Sequence, residues 1–418
     1  MHSPQDAPTP SRTVASGPSA LPGRVELIAL MAMMAATIAF SIDAMLPALP
    51  AMAADLSPEA PNQVQLVVTI FVLGMGLGTL FTGPLSDTFG RKPVVLAGCG
   101  LYIVSAALAA QADSLGLLLA ARLVQGLGAA GPRVVVMAII RDLFVGRQMA
   151  QIMSFVMIVF TLVPALAPSI GAALMALAGW SAIFWAFVIF AAVVSLWLFL
   201  RLPETLPRPA RRPFSATALL SATREMLANP VVRLSIAVQA LVFAMLFATI
   251  SSIQPIYESV FDRADSFPIW FGVTALLSAS GSVVNAMLVM RLGMRRLVSV
   301  MLGVQIMVST VLLTAILVGL AGDGLFAMFF FWQFMAFFQA GMTIGNLNAI
   351  AMEPMGHIAG MAASIIGFIA TVVAVLLAVP VGLLFNGTAI PLTLGVLVFA
   401  VAGLALMAAM RRAEDAER

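Results

Sequence analysis

The chain has 418 residues, of which 62% are apolar and only 9% charged. Soluble domains carry roughly 45–50% apolar and about 25% charged residues, so a soluble globular body is excluded. The net charge of +3 is no nucleic-acid signature, because the basic residues sit between apolar blocks rather than along one polar face.

Residues 1–24 are rich in Pro, Ser and Thr, lack an apolar core, and read as a disordered tail without a cleavable signal peptide. Twelve apolar blocks follow, over 25–46, 63–84, 93–111, 115–138, 149–176, 181–200, 232–257, 267–290, 297–318, 322–349, 360–384 and 389–410. At 1.5 Å rise per residue, about 20 residues cross a hydrocarbon core of roughly 30 Å. The reading is an all-α polytopic membrane protein with twelve transmembrane helices. Residues 201–231, with Pro203, Pro207, Pro209 and Pro213, form the one long polar connection. It divides the chain into six-helix bundles at 25–200 and 232–410, leaving 411–418 as a short tail.

With the amino terminus inside, every one of the 21 Lys and Arg residues except Arg263, Arg122 and Arg133 falls on the cytoplasmic side or its boundary. Excess positive charge in short loops marks the cytoplasmic face, and an even number of spans then places both termini there. A faint repeat reinforces the division: Gly90-Arg91-Lys92 after span two has a degenerate counterpart in Gly293-Met294-Arg295-Arg296 after span eight. Two pseudo-symmetric halves imply a central cavity able to open to either side.

Charged and helix-breaking residues inside spans carry the chemistry. Asp43 lies in the outer part of span one, and a carboxylate at a helix centre costs about 2.5–3.5 kcal/mol on insertion scales. Such a residue faces a cavity, a partner or a proton route; an interfacial aspartate near the outer headgroups is the alternative. Arg122 enters span four to a similar depth and is a candidate partner for Asp43. Arg133 follows three helical turns later, on nearly the same face, with Gly126, Ala129 and Ala130 between them. Internal helix pairing is the competing role for both arginines. In span five, Pro164, Pro168 and Gly171 mark a kink, either purely structural or functional. Asn285, Gln333, Gln339, Asn346 and Asn348 are neutral groups that line a cavity or tie helices together. Met31, Met34 and Phe40 offer soft apolar surface for a pocket. The one cysteine, Cys99, and the two histidines, His2 and His357, supply no metal cluster. The single lysine, Lys92, is not in a phosphate-binding loop, so no nucleotide motor is encoded.

The segment Gly83-Pro84-Leu85-Ser86-Asp87-Thr88-Phe89-Gly90-Arg91-Lys92, between spans two and three, resembles the loop signature of the major facilitator superfamily, with Thr88 standing where a basic residue is usual. The resemblance extends through most of residues 25–384 and is closest to the Bcr/CflA drug-resistance branch. Asp43-Ala44-Met45-Leu46-Pro47-Ala48-Leu49-Pro50 is similar to that branch's first-span ending. Arg122-Leu123-Val124-Gln125-Gly126-Leu127-Gly128-Ala129-Ala130 is similar to its fourth span. Arg141-Asp142, Met153-Ser154-Phe155-Val156 and Met352-Glu353-Pro354-Met355-Gly356-His357 continue the match. Span five resembles the family's antiporter motif, with Ala167 and Ala172 in place of glycines.

The resemblance implies the major facilitator fold and a transporter rather than an enzyme: a monomeric exporter of small drug-like molecules in the bacterial inner membrane, driven by the proton gradient with no other cofactor. It supports Arg122 in proton coupling, beside Asp43, the span-one carboxylate expected to carry the proton. It also implies a cytoplasmic gate of Gly83, Asp87, Gly90, Arg91, Arg141 and Asp142, clamping helix ends from the two halves. Met31, Met34, Phe40, Arg133 and Asn346 are expected at the substrate cavity. The energy scale suffices, since each elementary charge crossing gains about 2.3 kcal/mol per 100 mV. Proton-linked uptake of a small metabolite, with an anion favoured by the two arginines of span four, is the first rival, and a non-transporting membrane receptor the second.

Overall fold

The computed structural model describes residues 22–417, so the expected disordered tail over 1–24 lies almost wholly outside the described residues. The first half contains α1 (Arg24–Asp43), a short α2 (Leu49–Leu56), α3 (Leu66–Phe89), α4 (Arg91–Ala110), α5 (Leu115–Leu143), α6 (Gly146–Ala178) and α7 (Ser181–Arg201). A connecting helix α8 (Ala216–Ala228) follows. The second half contains α9 (Pro230–Ser259), α10 (Phe267–Ser278) and α11 (Ser280–Leu292), which together make one span, then α12 (Met294–Leu317), α13 (Gly322–Met352), α14 (Ala359–Leu383) and α15 (Ile390–Glu417). No strand occurs among the described residues.

Among the described residues, eleven apolar helical runs are long enough to cross a membrane, and one of them, Gly322–Leu383, is 62 residues long. A straight helix of that length would be roughly three times the hydrocarbon thickness. Non-helical geometry at Met355 breaks it between α13 and α14, which makes twelve crossings. Each expected span therefore has its helix. Two short helices were not expected. One is α2, beyond the end of span one. The other is α8, inside the stretch read as a plain polar linker, where Ser215 caps it by accepting the Ala218 amide at 3.1 Å. The last helix continues through the expected tail at 411–418 as far as Glu417.

The halves repeat one packing plan. In the first, α1 packs on α5, α6 and α7, α3 on α5, and α4 on α5 and α7. In the second, α9 packs on α13, α14 and α15, α10 and α11 on α13, and α12 on α13 and α15. The halves meet along α3 with α14 and along α6 with α10, an arrangement that exchanges onto itself. The sequence repeat has a backbone cause. Gly90 (φ 106°, ψ 158°) ends α3 and starts α4, and Gly293 (φ 79°, ψ 153°) ends α11 and starts α12. Side chains rarely tolerate this left-handed region, so both turns require glycine.

Large apolar side chains such as Leu101, Val104, Ile189, Val193, Met287 and Leu376 remain exposed on outer helix faces. In water such a surface would aggregate; facing acyl chains it is at rest. The chain is a multi-pass membrane protein.

Candidate functional site: a cavity between the halves and a buried carboxyl beyond its floor

A cavity of about 880 Å³ lies between the halves. Its mouth is at the end where α3, α5 and α13 finish, among Asp87, Arg91, Arg141, Arg212, Met352 and Gly360. Its depth is walled by Ala35 and Ile38 of α1, Thr79 of α3, Arg133 of α5, Gln239 and Phe243 of α9 and Ile344 of α13. We call the mouth the arginine-rich end.

The opposite end is closed. Ala44, Met45 and Leu46 are fully buried. A Cβ on Gly171 of α6 would come within 1.7 Å of the Ala44 carbonyl oxygen, and one on Gly272 of α10 within 2.5 Å of the Ala165 carbonyl oxygen. The stretch of α6 between Pro164 and Gly171 is thus pressed between the end of α1 and α10 of the other half. Asn62 Nδ2 donates to the carbonyls of Leu383 and Phe385 at 3.1 and 2.7 Å, and Ser252 Oγ donates to Gln65 Oε1 at 3.1 Å. These bonds join the halves across the closed end. Sequence reasoning missed them, because neutral polar residues beside a loop carry no distinguishing signal.

Asp43 closes α1 and is 5% exposed. It lies five residues past Ile38, about 7.5 Å further along the helix, beyond the cavity floor and toward the closed end. No hydrogen bond or ion pair to its carboxyl occurs among the described residues. The expected pairing with Arg122 is absent. The guanidinium of Arg122, itself fully buried, donates to Val67 O at 3.0 Å, Ser41 O at 3.1 Å, Gln125 Oε1 at 2.8 Å and Met45 Sδ at 3.2 Å. It also lies over the Phe71 ring, 4.2 Å from the centroid. Helical periodicity explains the miss. Ser41 and Met45, four apart, share a face, whereas Asp43 between them is turned roughly 200° away from both. A hydrogen bond between Ser41 Oγ and the Tyr102 hydroxyl adds α4 to this knot. Arg122 therefore positions the end of α1 rather than neutralising Asp43.

Arg133 does line the cavity. Among the described residues it has no hydrogen-bond or ionic partner, and its NH1 is without solvent contact. The other expected cavity residues lie elsewhere. Met31 and Met34 are buried in the apolar core with Val135, Ile139 and Leu198. Phe40 packs against the rings of Phe187 and Phe190. Asn346 is tied to Asn285 Oδ1 at 2.7 Å, although Asn348, two residues on, lines the cavity. Gly126 meets the backbone of Phe71, so the small face of α5 is used for close packing with α3 at that level.

At the arginine-rich end, Arg91 is the hub. It holds Asp87 Oδ1 at 2.5 Å, Asp142 Oδ2 at 3.0 Å and Ser86 Oγ at 2.7 Å. Glu204, just past α7, accepts the amides of Arg91 and Lys92 at 2.9 and 3.2 Å, and Arg212 N donates to the Asp87 carbonyl at 3.0 Å. Thr88, where the resemblance leads one to expect a basic residue, bonds the Arg212 carbonyl at 2.8 Å. All these partners come from α3, α4, α5 and the connection before α8. The expected clamp across the two halves is not formed, since the cavity separates their ends here. Arg141 faces the mouth, and Gly83 approaches Ser364 of α14. Glu204 escaped sequence reasoning because a lone acid in a proline-rich connection looks like any solvated loop charge.

Comparisons with known proteins give this geometry its class. The model of the Major Facilitator Superfamily matches residues 29–378, and the chain belongs to that family. It is 29% identical over 359 residues to a bicyclomycin resistance protein homolog of Haemophilus influenzae, covering 84% of this chain and 88% of that one. It is 31% identical over 245 residues to the multidrug resistance protein MdtL of Salmonella heidelberg, covering 58% and 60%. These likenesses agree with the Bcr/CflA drug-resistance branch. The fold matches the solved POT family transporter PepTSo with a TM-score of 0.74 at 13% identity, covering 95% of this chain and 100% of that one. The protein is a transporter of small molecules.

Proposed function

We propose that this chain is a proton-coupled exporter of small drug-like molecules, acting as a monomer by alternating access in a bacterial inner membrane with both termini cytoplasmic. The observation that carries the reading is the pairing of a cavity open at the arginine-rich end with an isolated, buried carboxyl beyond its floor. The positive-inside bias makes the open end cytoplasmic, so the cavity is placed to load substrate from the cell. The resistance names of the relatives support export.

In this cycle the halves rock along the α3–α14 and α6–α10 seams. The Asn62 and Gln65 bonds break, the far end opens, and water reaches Asp43 from outside. A buried carboxyl without a counter-charge is tolerated only while it holds a proton. Proton uptake there favours release of substrate and return of the carrier; proton loss toward the cytoplasm favours the next loading step. Arg122 keeps the end of α1 in register throughout.

The test is flux of a panel of labelled compounds in proteoliposomes with an imposed pH gradient. Movement of substrate against the proton flow, abolished by a protonophore, is expected. Gradient-driven accumulation in the same direction as protons would assign uptake instead, and binding without flux would assign a receptor.

A further inference from the structure

The cavity carries a chemical preference that its membership of a drug-exporter family does not specify. Asp87 is the sole carboxylate among its described lining residues, and Arg91 already holds it. Against it stand the guanidiniums of Arg133, Arg141 and Arg212, none with a carboxylate partner among the described residues. Arginine does not discharge, so a cavity lined in this way has a positive field with low-dielectric walls to focus it.

Arg133 is the deepest of the three. The contrast with Arg122, on the same helix, is the argument. Arg122 is fully satisfied by two carbonyls, an amide oxygen, a sulfur and an aromatic face. Arg133 has no such partner, and its NH1 is shielded from solvent. A buried charged donor left unmet is costly, so a purely structural arginine would be expected to look like Arg122. From the other half, Gln239 presents an Oε1 that is likewise buried and without a partner. Apolar surface from Ile38, Met137, Phe243 and Ile344 completes the wall. The volume is within the range of about 300–1,000 Å³ typical of small-molecule sites.

We propose that this cavity binds amphiphilic organic anions. Arg133 receives the anionic group, and Gln239 accepts a hydrogen bond from a hydroxyl or amide N–H on the same molecule; organic cations are disfavoured. The proposal rests on the transporter reading only in taking the cavity as the substrate site.

The test is equilibrium binding to the purified full-length protein of three matched probes: 6-hydroxy-2-naphthoate, 2-naphthoate, and a naphthylmethyl-trimethylammonium cation. The hydroxy acid should bind at least tenfold tighter than the cation. Arg133→Met should remove that preference and Arg133→Lys retain part of it. Gln239→Leu should weaken the hydroxy acid severalfold and leave 2-naphthoate unchanged. Failure of the hydroxy acid to bind, equal or tighter binding of the cation, or an intact preference in Arg133→Met overturns the proposal.

A second measurement leaves Arg133 in place. In Gln239→Cys, with native Cys99 buried, the new thiol should react at least tenfold faster with an anionic methanethiosulfonate than with a cationic one, relative to a free thiol in solution. Faster reaction with the cation overturns the assignment. Neither measurement uses a proton gradient. A coupled exporter with a cation-preferring cavity would sink only this proposal, and an anion-preferring cavity without coupling only the exporter reading.

Discussion

The two halves share a packing plan but differ in buried charge. In the first half Asp43 and Arg122 are buried beside neutral groups such as Gln65 and Gln125, and Arg133 faces the cavity. In the second the buried polarity is neutral, carried by Gln239, Gln254, Gln305, Gln333, Gln339 and Asn346, with no buried charge among the described residues. Some of these pair locally, as Gln333 does by accepting from the Tyr257 hydroxyl at 2.8 Å and Gln305 by donating to Ser309 Oγ at 3.3 Å. A buried charge costs several kcal/mol and an unmet amide about 1–3. Packing is thus symmetric while buried charge is not: the ionic groups belong to the first half, and the second lines the cavity with neutral groups such as Gln239 and Asn348.

The contrast can be broken from the largest effect downward. Within the first half, Arg122→Ala should severely destabilise the bundle, because it leaves the buried acceptors Val67 O, Ser41 O and Gln125 Oε1 without their donor, at about 1–3 kcal/mol each. Arg133→Ala, which loses no internal bond, should leave the melting temperature within about 2 °C while changing substrate affinity. Equal loss of stability in both would erase the distinction between a positioning and a binding arginine. Next, Gly171→Val should prevent closure against Ala44, given the 1.7 Å approach. Transport should fall at least tenfold, with higher labelling of cysteines placed at the closed end.

Smaller is the effect of Asn62→Ala with Gln65→Ala. Removing hydrogen bonds worth about 1 kcal/mol each should raise the population open at the far end severalfold, read by distance measurements between spin labels on α3 and α14. Smallest is Gln333→Leu in the second half, where interhelical bonds in membranes average about 0.6 kcal/mol. Its stability should change little and its transport hardly at all. A large loss of flux there would mean that the neutral half also carries chemistry.

How far the sequence sufficed follows the same physics. Span positions were legible because a bilayer imposes a one-dimensional length requirement, which blocks such as 181–200 meet almost residue for residue against Ser181–Arg201. The short helices α2 and α8 meet no such requirement and passed unseen. Depth was legible too: Asp43 and Arg122 do lie at similar levels. Rotation about the helix axis was not, and it is rotation that turns Asp43 away from Arg122. The same blindness placed Met31, Met34 and Phe40 at the cavity, when residue type alone cannot tell a core face from a cavity face. Arg133 was singled out as a charge in a span, but its lack of partners, the property that matters, exists only in three dimensions.

The central claim is that one isolated carboxyl on the first half exchanges a proton as the cavity changes sides. Side-by-side reconstitution of the parent chain and Asp43→Asn tests it most directly, following both gradient-driven flux and gradient-free substrate exchange. The account predicts that the variant loses gradient-driven flux at least a hundredfold yet still exchanges substrate across the membrane. Gradient-driven flux at the parent rate in Asp43→Asn would contradict it.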